Sequence, residues 1–502
     1  MRRAVETDTR DLARGAGVNY LGYALRLGAR APFLLVAALL YGEVRFGEYV
    51  FGLSIVETAA ALALFGLKRS LFKFMSESTA RQETVYRAVA NGVALATVMG
   101  AIATGVVIAG ASHLAQWFHL PSAAHSLPLL AAAIPLIVTS DILLVAIRFT
   151  RQMRYEVMAR SIAEPITLSV VAVSAYYLGA REHGLFIGYL ASLTVAAAAS
   201  VFFFARVFPI WTCLRMPLAW GEMRQLVSFS GPTAGYELMT LLGDQVDVYL
   251  VTYFFPAGVV GVYGMARQFS TFTKKVRQGF DRILPPVLSD AIAAGDLGRV
   301  GAQLALVSRW ILSVQVLLVL VFAFFGNEVL GLLGGKFAGG AVALTLLLIG
   351  DAVNGSLGVS ELPIVYLRPK ANLLLGAGRL LLSLGTGIWL IGALGMEGAA
   401  LSVVVTYCAI NLARIVVNWG LFGIVTVRRS IGKPPLAAIP AAASAFLVLH
   451  LTAGVPVAGM VLGVPVLIGG YLTALYRLGL EPEERLQLRK LLGRGSAPAS
   501  PG

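Results

Sequence analysis

The chain has 502 residues, of which 58% are hydrophobic and 13% charged, with a formal net charge of +14 and a mean hydropathy of +0.79. That balance excludes an ordinary soluble domain, in which about a quarter of residues are charged. It points to a chain that is mostly apolar helix inside a bilayer.

Apolar runs long enough to span a membrane recur at about 17–41, 47–67, 85–111, 126–147, 157–178, 184–206, 229–253, 257–279, 303–325, 339–360, 371–392, 396–420, 434–453 and 455–476. The expectation is therefore an all-α integral membrane protein of fourteen spans. Residues 1–16 read as a basic amphipathic lead-in lying on the inner leaflet, without the short apolar core and small-residue cleavage site of a signal peptide. The first span, GVNYLGYALRLGARAPFLLVAALLY, carries Asn19, Tyr23, Arg26 and Arg30 at helical spacing on one face. A buried arginine costs roughly 3 kcal/mol even on the lenient insertion scale. Two on one face imply a protein-lined cavity, an ion partner, or both. Pro32 should kink this span just beyond Arg30 and free a carbonyl.

Charge placement supports the count. With an even number of spans both termini lie on one side, and the positive-inside rule makes that side cytoplasmic. Most of the 40 Lys and Arg then fall in or beside cytoplasmic segments. The exceptions are Arg45, Arg181 and Lys336 outside, and Arg26, Arg30, Arg267 and Arg414 within spans. The net positive charge is thus mostly topology, and no nucleic-acid partner is expected. Cys213 and Cys408 match no metal or redox spacing, and the five histidines all fall near the outer surface, where interfacial polar residues are expected.

A faint repeat divides the chain. Gly22-Tyr23 recurs as Gly235-Tyr236, Gly47-Glu48-Tyr49 as Gly261-Val262-Tyr263, and the spacing of GLKRSLFKFMS from Gly66 as GFDRILPPVLS from Gly279, all at offsets of about 213–214. Each repeat holds six spans in the same orientation, so an axis along the membrane normal relates them. The expected division is an N-terminal lobe at 1–210, a cytoplasmic linker at 211–228, a C-terminal lobe at 229–423, two extra spans at 434–476 and a cytoplasmic tail at 477–502.

Polar residues single out the repeat's first two spans. Span 7 carries Thr233, Glu237, Thr240, Asp244 and Asp247 on one face, and span 8 carries Tyr263, Arg267, Lys274 and Gln278. Glu57 stands alone in span 2. Arg30, Glu57, Asp244 and Arg267 all fall near the midplane, where transporters of repeated design place their site. Ion pairs that merely lock helices, Arg30 with Glu57 and Arg267 with Asp244, are the bland alternative. The preferred reading is a cationic cavity in which Arg26, Arg30, Arg267 and Lys274 bind phosphate, the anion that guanidinium groups capture bidentately. Asp351 and Asn354 on span 10, Asn372 and Arg379 on span 11, and Asn411 and Arg414 on span 12 are lesser candidates. Asp141 and Glu164 could pair with Arg160 or Arg148. An acid of span 7 with Asp351 could form a sodium or proton site. No catalytic constellation, His/Cys ligand cluster or phosphate-binding glycine loop occurs, so neither an enzyme nor a bound cofactor is expected.

Taken with Gly22-Tyr23, the stretches FSGPTAGYELMTLLGDQVDVYLV from Phe229 and GVYGMARQFSTFTKKVRQGFDRILPPVLSD from Gly261, and the LGAREHG and IGALGMEG turns, the chain resembles the Wzx-type polysaccharide flippases. These belong to the multidrug/oligosaccharidyl-lipid/polysaccharide exporter superfamily. The resemblance implies a V-shaped pair of six-helix lobes with alternating access, moving undecaprenyl-diphosphate-linked oligosaccharide across the bacterial inner membrane for exopolysaccharide, capsule or O-antigen synthesis. It implies arginines of the first and eighth spans in the cavity, which fits Arg26, Arg30 and Arg267. It also implies a coupling cation, Na+ or H+, on acids for which Glu237, Asp244 and Asp351 are the nearest equivalents; Glu57 and Asp247 are, from their place on the polar faces, further polar groups of the cavity. The implied partners are the lipid-linked oligosaccharide, membrane lipids and other polysaccharide assembly proteins. A cation-coupled multidrug exporter, a lipid II flippase and, further off, a membrane polymerase or ligase are the alternatives.

Overall fold

The computed structural model describes residue 28 and residues 31–77, 82–281, 284–452 and 456–478. The expected amphipathic lead-in, Arg26, Arg30 and the tail beyond 478 lie outside the described residues. The regular structure of the described residues is helical throughout, with no strand.

Helix α1, Gly42–Leu64, ends where Phe65 and Gly66 both take left-handed backbone, at φ 40° and 69°. The Phe65 N–H donates back to the carbonyls of Ala61 and Leu62, closing the helix in the usual way for a left-handed cap. The chain then restarts as α2, Leu67–Glu77, which carries the basic run of Lys68, Arg69 and Lys73. The apolar pattern alone marks only the end of a span at about residue 67. Four helices complete the first lobe: α3 Gln82–Trp117, α4 Ala123–Phe149, α5 Met153–Tyr177 and α6 Gly184–Val207. Within α5 a widened π-type turn, Val157–Ala163, carries Arg160.

The second lobe begins with α7, Trp220–Phe254, nine residues ahead of the expected start at 229. Residues 220–228 are polar but rich in helix formers, and α3 anchors them. The Asn91 side chain accepts from the Ala219 N–H at 3.1 Å and donates to Glu222 at 2.8 Å. Arg87 meets Glu222 at 3.0 Å. An acid in the first turn also suits the helix dipole. Replacing Asn91 by leucine therefore destabilises the fold by about 1–3 kcal/mol, through the stranded helix-end donor and carboxylate. Thermal unfolding of the purified variant measures this.

Next come α8 Ala257–Gln278, α9 Leu297–Gly331 and α10 Ala341–Leu357. The segment before α9, expected as a plain connection, holds a ten-residue helix, Leu284–Ala293, whose Leu284, Leu288 and Ala291 are buried. Spans 11 and 12 form one run, α11 Pro369–Phe422, which reverses at Gly395 (φ 67°, ψ −140°). Only glycine takes that backbone readily. Thr386 and Thr406 face each other across the reversal at 3.4 Å. Finally α12, Lys433–Leu451, and α13, Pro456–Arg477, pack on each other and on α9.

Ten of these runs are long and apolar enough to cross a membrane. Of the ten, Pro369–Phe422 contains two expected spans and Ala31–Glu77 contains the second together with the last part of the first; with the charged α7 and α8 beside them, the arrangement is compatible with fourteen. Five of the six tryptophans are 67–77% exposed and mark two levels. Trp117 and Trp389 lie at the end holding Gly42, and Trp211, Trp220 and Trp419 at the end holding Gly66. Amphipathic rings at two such levels are the signature of membrane interfaces. The chain is a multi-pass membrane protein.

The lobes meet through α1 and α8, whose backbones touch near the Gly42 end. A Cβ at Gly47 would collide with the Ala257 carbonyl, and one at Gly261 with the Glu43 carbonyl. Small residues at a helix crossing permit this close approach in a bilayer, where dispersion replaces hydrophobic drive. Lys336 reaches Glu43 across the same end at 2.5 Å.

Candidate functional site

Between α1 and α7, towards the Gly66 end, lies a space of about 350 Å³ lined by Ala61, Leu62, Phe65, Lys68, Glu237 and Leu241, among others. Arg69, exposed, and Glu237, partly exposed, cross its mouth from opposite lobes at 2.9 Å. Deeper, the Tyr249 hydroxyl meets Thr58 at 2.6 Å and donates to the Ser54 carbonyl at 3.0 Å, tying α7 to α1. Glu57, one residue before Thr58, is exposed on α1.

Inside the second lobe the expected residues form one network. Asp244 and Asp247 lie three residues apart on α7 and so share a face. Asp247 accepts from Arg267, and from the Tyr263 hydroxyl at 2.7 Å. Arg267 also donates to the Asp244 main-chain carbonyl. The Asp244 carboxylate pairs instead with Arg379 of α11, whose guanidinium lies 5.1 Å from the centre of the Tyr407 ring. Lys274 stands 3.6 Å from Asp351 of α10. These groups surround a cavity of about 20 Å³, room for one water.

Three carboxylates thus meet three cations within one lobe. The cationic cavity expected from the sequence also includes Arg26 and Arg30 of span 1, which lie outside the described residues. The structure matches Asp247 and Asp244 with Arg267 and Arg379 of their own lobe, supplied by α8 and α11, while Glu237 takes Arg69 of the other lobe; for the buried Asp247 an unpaired charge would cost several kcal/mol. Arg267 and Lys274, expected to face a phosphate, each have a carboxylate partner. The bland pairing of Arg267 with Asp244 reaches only its backbone oxygen.

Sequence reasoning underrated Arg379, 135 residues from its partner, and did not single out Lys68 or Arg69. In the first lobe Asp141 joins Lys68 at 2.6 Å and Arg160 at 2.5 Å, while Arg160 also meets Glu164 at 3.4 Å. Arg148 pairs with Glu156 instead. Arg414 holds Glu361 at 2.9 Å and donates to Asn411, placing that face of span 12 against α10 and its extension. Arg277 donates to the carbonyls of Asn354 and Gly358 at the bend after α10. Both cysteines are free thiols. No group of three or more His, Cys, Asp or Glu that could hold a metal occurs among the described residues.

The family model described as "Polysaccharide biosynthesis protein" matches residues 12–278, more than half of the chain. The chain belongs to this polysaccharide biosynthesis family. Its fold is similar to that of a solved lipid II flippase, MurJ, in an inward closed conformation, at 14% identity and TM-score 0.66 over 94% of this chain and 100% of that one. It is also similar to an inward-facing multidrug resistance MATE family transporter of the MOP superfamily, at 12% identity and TM-score 0.65 over 80% and 98%. An outward-facing transporter of that family matches at 15% identity and TM-score 0.56 over 83% and 96%. No curated protein matches. The family match covers the first lobe and runs through α7 and α8, so it takes in Arg26, Arg30, Arg267 and Lys274. At such low identity the solved structures establish the fold, which is the MATE and MurJ fold.

Proposed function

We propose that this member of the polysaccharide biosynthesis family flips an undecaprenyl-diphosphate-linked oligosaccharide from the cytoplasmic to the outer leaflet of a bacterial inner membrane. The product would feed exopolysaccharide, capsule or O-antigen assembly, alongside other proteins of that assembly. The observation that carries the reading is the one-sided closure of the lobes: the α1 and α8 backbones touch at one end, while a space opens between α1 and α7 at the other. A two-lobed fold closed at one face is what alternating access requires. The positive-inside rule assigns the open, Gly66 end and both termini to the cytoplasm. The lobes would be 1–210 and 229–423, with 211–228 as the linker, 434–476 as an accessory pair and 477–502 as the tail.

In this reading Arg26 and Arg30 clamp the diphosphate, with Arg267 and Lys274 as the facing bases whose charge Asp247 and Asp351 set. Glu57, Glu237, Asp244 and the polar rim take sugar hydroxyls, and the lipid tail stays in the bilayer at the gap between lobes. A multidrug exporter of cationic drugs would need a net acidic cavity. In the second lobe Arg267, Lys274 and Arg379 match Asp244, Asp247 and Asp351 charge for charge.

A strain lacking the gene should accumulate the lipid-linked intermediate on the cytoplasmic leaflet and stop exporting polymer. The Arg30→Ala protein should reach normal levels yet fail to restore export. Unchanged polymer export with no accumulated intermediate in the deletion strain would refute the reading.

A further inference from the structure

The two lobes each hold a lysine against an aspartate drawn from equivalent helices, and the two aspartates are unequally satisfied. In the first lobe one oxygen of Asp141 takes Lys68 at 2.6 Å and the other takes Arg160 at 2.5 Å. In the second lobe Lys274, also from the second span of its repeat, faces Asp351, also from the fourth. There Nζ stands 3.6 Å from Oδ1, and Oδ2 is buried with no hydrogen-bond partner among the described residues. The Asp351 side chain is only 3% exposed and lines the 20 Å³ cavity together with Asp244, Asp247, Ser270 and Tyr407. A buried carboxylate in this condition has unused capacity for a cation.

The charge balance decides what can fill it. Asp244, Asp247 and Asp351 already face Arg267, Lys274 and Arg379, so a further free cation would leave the cavity net positive. Two of the three bases are fixed. Arg267 is held by Asp247 and the Asp244 carbonyl, and Arg379 by Asp244 while it leans on Tyr407. Lys274 is not held in that way. It has the one long contact to Asp351, a third of its side chain is exposed, and its stem is flexible.

We propose that the Lys274 ammonium fills, as a tethered group, a monovalent-cation seat at Asp351, and that this lobe takes up a free sodium ion only when Lys274 is removed from the seat. The oxygen donors of Asp351, Ser270 and Asp244 are the hard ligands such an ion needs. The inference goes beyond the transport reading. It concerns cation binding by the purified protein, needs no lipid substrate, and stands or falls independently of flipping.

The test is thermal unfolding of the full chain in detergent, with sodium chloride against N-methylglucamine chloride at equal ionic strength. The parent protein should melt at the same temperature in both. Lys274→Gln should melt about 2–5 °C higher in sodium, and adding Asp351→Asn to it should remove that gain. A sodium gain already present in the parent, or none in Lys274→Gln, overturns the proposal. If Lys274→Gln fails to fold, Asp351→Asn carries the test through mass-spectrometric labelling of Lys274 by an amine-reactive reagent. Freed from its carboxylate, Lys274 should react about tenfold faster than in the parent; an unchanged rate overturns the proposal.

Discussion

Replacing Asp247 by alanine should cost the protein about 3–5 kcal/mol of stability, the range for breaking a buried ion pair from one side. Asp247 is 5% exposed and takes both the Arg267 guanidinium and the Tyr263 hydroxyl, a group fully buried itself. Its loss leaves a cation with only the Asp244 carbonyl and a phenol with no acceptor. The double variant Asp247→Leu/Arg267→Met should recover most of the loss, because two apolar side chains of similar size need no partners. Thermal unfolding of the parent and both variants in one detergent reads the difference. A cost below about 1 kcal/mol for the single variant would mean that water reaches the pair and that the network is a solvated surface.

Gly261→Val should abolish transport while the protein still folds and reaches the membrane. The added Cβ falls on the Glu43 carbonyl, and backbone has no rotamer by which to move aside. One helical turn on, Gly264 packs on Val50, so α8 cannot slide along α1 for relief. The clash exists only where α1 and α8 touch, so the variant excludes that closed arrangement and leaves others open. An exclusion of about 2.7 kcal/mol already lowers the population of a state about a hundredfold. The readout is polymer export together with cross-linking, by a short bifunctional thiol reagent, of cysteines placed at Glu43 and Lys336, whose side chains are ion-paired at 2.5 Å. The cross-link should form in the parent background and not with Gly261→Val. Full export by the variant would show that this contact is no part of the working cycle.

Much of this architecture was legible in the sequence because bilayer thickness sets the length of an apolar run, and the runs are long. The reversal at Gly395 was legible too, since IGALGMEG places glycine where only glycine fits. The ends of α1 and α7 were not. The break at Phe65 depends on a phenylalanine in left-handed backbone, which no local pattern announces. The early start of α7 depends on Asn91 and Arg87, more than a hundred residues away. At the site, helical spacing put Asp244, Asp247, Arg267 and Lys274 on polar faces, and the structure brings them around one cavity. Periodicity gives a face but no partner. Hence Arg379, distant along the chain and on another helix, escaped as the base that neutralises Asp244. The 213–214 offset related span 1 to span 7, but it does not reveal that Asp247 and Asp244 find Arg267 and Arg379 within their own lobe.

The central claim is that the chain moves a diphosphate-linked oligosaccharide between leaflets and that Arg30 engages the diphosphate. The most direct measurement reconstitutes the purified protein in liposomes carrying undecaprenyl-diphosphate-linked oligosaccharide in one leaflet, and follows the appearance of sugar at the other face with an impermeant lectin or glycosidase. The account predicts protein-dependent transfer that Arg30→Ala reduces to the rate of empty liposomes. Transfer by Arg30→Ala equal to the parent, or none by the parent above empty liposomes, would contradict it.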